Sequence, residues 1–116
     1  MNPAQILLTD VDSQTWIEEI LLNAESHPGF SEKTDWSIHK KQLHGGLSEG
    51  VDLIEVNNGA LQLSLLPTRG MGVWKGDFQG IPLEWKSPVK SPVNPAFVNL
   101  SERGGLGWLS GFNELI

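Results

Sequence analysis

Apolar and polar residues along this chain alternate with two different periods, and the switch between them sets out its organisation. Over residues 13–26 the apolar positions Trp16, Ile17, Ile20, Leu21 and Ala24 recur at helical spacing, with Glu18, Glu19, Asn23 and Glu25 between them. Asp12 or Ser13 can cap the start of such a helix, and His27-Pro28-Gly29 can end it. The pattern therefore predicts one N-terminal helix docked on a sheet, after a lead-in over residues 1–12. From Trp36 onward the period is two. Residues 36–43 predict a strand that ends at His44-Gly45-Gly46. Residues 51–57 and 60–66 flank Asn58-Gly59, the strongest short hairpin signal. A two-residue turn there pairs Val56 with Leu61, Ile54 with Leu63 and Asp52 with Leu65. One face is then mainly apolar, and Glu55 and Gln62 lie on the other. Val51, Leu53 and Leu66 make that second face apolar at the base, so the hairpin is expected to be covered on both sides there.

The next hairpin turns around Asp77-Phe78-Gln79-Gly80. A loop with an even residue count places Trp74, Leu83 and Trp85 on one face and Lys75, Glu84 and Lys86 on the other, so the even loop is expected. Between the two hairpins, Pro67-Thr68-Arg69-Gly70 forces a bend. Residues 87–95 carry three prolines, which cannot sit inside a sheet, and predict an extended surface connection. The chain closes on Gly111-Phe112-Asn113-Glu114-Leu115-Ile116, which reads as the opening of a strand. The expected organisation is a lead-in and helix over residues 1–35, then residues 36–116 as the first portion of a larger β-sandwich.

Composition narrows the chemistry. Fourteen acids against 8 bases give a formal net charge of −6, which argues against nucleic acid and anionic membranes as partners. With no cysteine, thiol catalysis and cysteine-ligated metals are excluded. Neither a secretion signal nor a membrane span is visible, so a cytoplasmic location is expected. His39 and His44 lie an odd number of residues apart, which on a strand sends them to opposite faces, and no metal site is expected. Gly70-Met71-Gly72-Val73-Trp74-Lys75-Gly76 has the wrong spacing for a dinucleotide loop and leads into a strand, not a helix. No carboxylate pair can be placed across a cleft.

Two features remain. Arg69 at the forced bend either donates a fork of hydrogen bonds to sugar hydroxyls or a carboxylate, or locks the bend through an ion pair. Five tryptophans stand at 16, 36, 74, 85 and 108. Trp16, Trp36 and Trp74 are expected in the core. Trp85 and Trp108 flank loops and suit a pocket, where an aromatic face stacks on a sugar ring.

The runs LPTRGMGVW, GIPLEWKSPV and NPAFVNLSERGGLGWLSGFNELI resemble an uncharacterised bacterial branch of the aldose 1-epimerase (galactose mutarotase) superfamily. The resemblance spans residues 36–116 and is most specific over residues 66–71 and 104–115. It implies a mainly β protein, an antiparallel galactose mutarotase-like supersandwich of which this chain supplies the N-terminal part. It also implies a small-molecule sugar as partner and no cofactor. In mutarotases a histidine acts as general acid on the ring oxygen and a glutamate as general base on the anomeric hydroxyl. None of His27, His39 or His44 falls in a matching motif, so the catalytic pair is expected beyond Ile116 and this fragment is expected to be inactive. Asn113 is the position that the resemblance offers for a sugar contact. The expected substrate-binding set is Arg69, Trp85, Trp108, Phe112 and Asn113. The alternatives are a non-catalytic carbohydrate-binding scaffold, or a structural or interaction domain in which Arg69 is only a bend lock.

Overall fold

Eight strands and six short 3₁₀ turns make up the regular structure in the computed structural model, which describes residues 5–115. β1 (Thr9–Asp10) and β2 (Thr15–Trp16) form a small separate hairpin. The other six form one antiparallel meander in chain order: β3 (Ile20–Asn23), β4 (Ser37–Gln42), β5 (Asp52–Asn57), β6 (Leu61–Leu66), β7 (Gly72–Phe78) and β8 (Ile81–Leu83). The fold is mainly β, as expected.

The N-terminal helix is not there. Thr15–Trp16 and Ile20–Asn23 are strands, and β3 pairs with β4 through Leu22↔Ile38 and Ile20↔Lys40. Ile20 and Leu22 alternate with Leu21, so the run satisfies a period of two as well as the helical one. The tie is broken by β4, whose free edge gains a ladder of hydrogen bonds only from an extended neighbour. Leu22 is buried and Leu21 is 52% exposed, the reverse of what a helical stripe would give. Trp16, expected in the core, is 57% exposed on the small hairpin. Below it lies Lys40, almost wholly buried. Its ammonium donates to the Ile17 carbonyl at 2.7 Å and to Asp52 Oδ1 at 3.4 Å, and lies 5.9 Å from the centroid of the Trp16 ring. Lys40 thus ties the N-terminal segment to the sheet through charge-assisted bonds.

The β5–β6 hairpin forms, displaced by two residues from the expected register. Val56 faces Leu63 and Ile54 faces Leu65, and the two-residue loop is Gly59-Ala60 instead of Asn58-Gly59. The Asn58 side chain sets this register. Its Oδ1 accepts from the N–H groups of Ala60 at 3.0 Å and Leu61 at 2.8 Å, an Asx-type turn that holds Asn58 opposite Leu61. Gly59, at φ 96°, supplies the left-handed residue the turn needs. A shift of two conserves the faces, so Ile38, Val56 and Leu63 share one side while His39, Glu55, Ser64 and Lys75 share the other. Asn58→Ala is expected to lower stability by about 1 kcal/mol through loss of these two bonds, read from a urea midpoint. An unchanged midpoint would show that the backbone alone fixes the turn.

The β7–β8 loop has two residues, Gln79-Gly80, so the even loop is confirmed, with Gly76 opposite Leu83. Trp74 nevertheless leaves the face of Leu83. A β-bulge shifts the pairing between Ser64↔Lys75 and Leu65↔Val73, so that Trp74 is the extra residue of β7. It packs with Leu43 against the buried cluster of Val51, Leu53 and Leu66, on the same side as Lys75. Those three residues are the apolar base foreseen for the hairpin's second face.

Residues 87–95 lie only partly at the surface, with Pro88, Lys90, Ser91 and Pro95 exposed. Pro92 and Val93 are buried, and this strap is bonded to the loop before β5. Ser48 Oγ donates to the Pro92 carbonyl at 2.5 Å, Asn94 N–H to the Leu47 carbonyl at 2.7 Å and Asn94 Nδ2 to the Glu49 carbonyl at 2.8 Å. Prolines lack a sheet donor but bury well where only their carbonyls must be satisfied. In the same loop Glu49 accepts the Gly45 N–H and lies 3.0 Å from His44 Nδ1. The Gly45 bond first, then His44, holds its carboxyl below the ordinary carboxylate range.

Candidate functional site

The bend after β6 is a 3₁₀ turn over Pro67–Arg69 that ends on a left-handed Gly70. It turns the Arg69 side chain inward, where it is 15% exposed. The guanidinium Nε donates to Glu114 Oε1, and Nη1 donates to the Val93 carbonyl at 2.8 Å. Glu114 is itself only 10% exposed, and its Oε2 accepts the Asn113 N–H at 3.2 Å. The bend, the proline strap and the C-terminal segment thus meet at one buried ion pair. Gly111 permits this approach, since a Cβ there would stand 3.1 Å from Arg69 Nη1.

The C-terminal segment runs as a 3₁₀ turn over Gly107–Gly111 and then extends across the end of β7, with Leu115 N–H donating to the Val73 carbonyl at 2.6 Å. The described part of the expected strand is therefore extended and bonded to β7, without joining a ladder. Its position is fixed from both sides. Trp85 Nε1 donates to the Glu114 carbonyl at 2.9 Å, and Ser87 Oγ to the Phe112 carbonyl at 2.8 Å.

Phe112 lies between the two expected pocket tryptophans. Its ring centroid is 5.4 Å from that of Trp85, tilted at 41°, and 5.4 Å from that of Trp108, edge-on at 71°. All three rings are exposed over 40% or more of their surface. Large aromatics left this open in a row form an unusual surface, because such rings normally bury most of their area. Two hollows flank the row. One is lined by Thr68, Arg69, Pro95, Val98, Leu100 and Trp108 and is mainly apolar. The other holds Trp85 and Asn113 together with Trp74, Lys75 of β7, and the charged Glu84, Lys86 and Lys90 that follow β8.

The five expected residues therefore fall in one region, joined through Phe112, but not around one cavity: Arg69 and Trp108 line one hollow, Trp85 and Asn113 the other. Asn113 is buried, at 3% exposure. Its Nδ2 donates to the Val89 carbonyl at 3.3 Å, and its Oδ1 has no hydrogen-bond partner among the described residues. Glu114 was not singled out from the sequence, although an arginine at a buried bend demands an acid, and Glu114 is the one acid in an otherwise uncharged C-terminal run. The histidines lie elsewhere: His39 Nε2 is 3.7 Å from Glu19, and His44 approaches Glu18 and Glu49. Among the described residues no three His, Asp or Glu side chains gather as a metal-ligand set, and no helix is long and apolar enough to cross a membrane.

Comparison with known proteins bears on the family and the fold. Residues 48–116, more than half of the chain, match the family model described as a domain of unknown function, DUF4432. The chain is also similar to a crystal structure from Klebsiella pneumoniae subsp. pneumoniae MGH 78578, of a protein described as "a putative aldose 1-epimerase". The two share 39% identity and superpose with a TM-score of 0.83 over 92% of this chain. The match covers 28% of the Klebsiella chain, so this chain spans less than a third of that protein's length. No curated protein matches.

Proposed function

Because this chain belongs to the DUF4432 family and has the architecture of part of an aldose 1-epimerase-like protein, we propose that it contributes one wall of a carbohydrate-binding site. The site belongs to a mutarotase-like β-sandwich acting on an aldose or a sugar derivative. The observation that carries this reading is the open row Trp85–Phe112–Trp108, anchored to the buried Arg69–Glu114 pair. Exposed aromatic faces stack on the apolar side of a sugar ring, and a rigid mount removes the entropic cost of ordering them on binding. Asn113 supplies a carbonyl oxygen in want of a donor, and a sugar hydroxyl is one. Arg69 acts chiefly by position, with Nε and Nη1 committed to Glu114 and Val93.

The proton-transfer step of an epimerase requires a general acid at the ring oxygen and a general base at the anomeric hydroxyl. No histidine of this chain lies at the aromatic row, so the wall binds and orients, and an acid and base would come from other parts of the polypeptide. The non-catalytic scaffold is the same site without them.

A tryptophan-fluorescence titration of the full-length protein against a panel of aldoses tests the binding reading. Saturable change is expected with at least one sugar, reduced in Trp85→Phe and in Trp108→Phe. No change with any sugar, in protein shown to be folded by circular dichroism, would leave the structural reading in its place. Polarimetry with the same sugars separates epimerase from binder.

A further inference from the structure

We propose that the hollow beside Trp85 selects sugars that carry an anionic group, a phosphate or a carboxylate. This inference rests on the carbohydrate-binding reading above and names its ligand class. The hollow, about 220 Å³ in volume, gathers Lys75, Lys86 and Lys90 against a single carboxylate, Glu84. In a chain of net charge −6 with 8 basic residues, three ammonium groups on one small concavity run against the overall balance. A cleft lined by one sign of charge concentrates counter-ions of the other.

None of these three lysines makes an ion pair among the described residues. Among the described residues, the ion-paired basic side chains besides histidine are Lys40, Lys41 and Arg69. Lys75 is instead held over the Trp74 ring, its ammonium 4.3 Å from the centroid. The β7 bulge turns both side chains to one face, so a cation–π pair stands at the hollow's edge. Independent of the charges, Asn113 lines the same hollow while 97% buried, with Oδ1 unpartnered among the described residues. A buried carbonyl oxygen left unpaired carries the full cost of its desolvation, which a ligand hydroxyl removes. One ligand answers both features: a hydroxyl for Asn113 and an anion for the lysines, with Trp85 against the ring.

The test is isothermal titration of the full-length protein with glucose, glucose 6-phosphate, glucuronate and inorganic phosphate, repeated on K86Q/K90Q. Both lysines are exposed, so the double variant is expected to fold, checked by circular dichroism. At least one anionic sugar is expected to bind about tenfold or more tightly than glucose, through charge-assisted bonds. That preference should shrink with added salt and vanish in K86Q/K90Q. The phosphate and carboxylate arms identify which anion the lysines take. Glucose binding as tightly as both anionic sugars, or a preference unchanged in K86Q/K90Q, overturns this inference and leaves the sugar site standing. No binding of any sugar overturns both.

Discussion

Glu114→Ala is expected to lower the unfolding free energy by about 3–5 kcal/mol, the range for breaking a buried ion pair from one side. Surface pairs contribute about 0–1 kcal/mol, and this pair is not one of them: the two side chains are 15% and 10% exposed. Removing the carboxylate leaves the Arg69 charge with the Val93 carbonyl alone, and frees the Asn113 N–H that Glu114 also satisfied. The loss spreads further than two residues, since the pair joins the bend, the proline strap and the segment carrying the aromatic row. Arg69→Ala should cost a similar amount for the converse reason. Arg69→Met with Glu114→Leu should recover most of it, because an apolar pair of similar volume avoids the desolvation of two charges. Urea denaturation of the unsubstituted protein and these three variants measures each difference. Single-variant losses below about 1 kcal/mol would mean that the pair behaves as a solvated one, and Arg69 would return to consideration as a direct ligand donor.

The division between what was legible in the sequence and what was not follows the reach of each interaction. The strand over residues 36–43, the two hairpins and the faces of the first could be read because alternation is a local signal. So could the apolar base of Val51, Leu53 and Leu66, where alternation fails and the run turns apolar on both sides. The hairpin register was missed by two because Asn-Gly names a turn, while a side chain that accepts two N–H groups decides its centre. Trp74 was placed on the wrong face since parity counting assumes an unbroken ladder, and one bulge inverts it. The pattern over residues 13–26 predicts a helix because Ile20 and Leu22 fit both periods, and only the edge of β4, 15 residues or more downstream in the chain, chooses between them. The burial of Pro92 and Val93 was invisible for the same reason: their partners are Ser48 in the loop before β5 and Arg69 at the bend. The site was legible as residue types but not as an arrangement. Trp85 and Trp108, expected at a pocket because they flank loops, are 41% and 46% exposed, whereas the coupling of Arg69 to Glu114 spans 45 residues with no pattern between. Sequence chemistry could demand an acid for that arginine, but only the packed C-terminal segment says which.

Leu66→Ala is expected to cost about 2–5 kcal/mol, as large-to-small changes in a packed core do. Leu66 is wholly inaccessible, and with Val51 and Leu53 it forms the buried cluster on which Leu43 and Trp74 rest. It is also the residue directly before Pro67, so the void opens where the backbone is held by a proline on one side and by pairing with Gly72 on the other. Such a site relaxes little, and a cavity that cannot collapse keeps its full cost. The same measurement distinguishes the two readings of the N-terminal segment. In a strand Leu22 is 4% exposed and Leu21 is 52% exposed, so Leu22→Ala should approach the lower part of that range while Leu21→Ala should change stability by roughly 0.5 kcal/mol or less. A helical stripe through Ile17, Ile20, Leu21 and Ala24 gives the opposite order, and a larger loss at Leu21 than at Leu22 would restore it. The Leu66 result carries the site with it. If its loss is large, the sugar response of Trp108 should weaken in the same variant, because the bend that aims Arg69 at Glu114 begins at this residue.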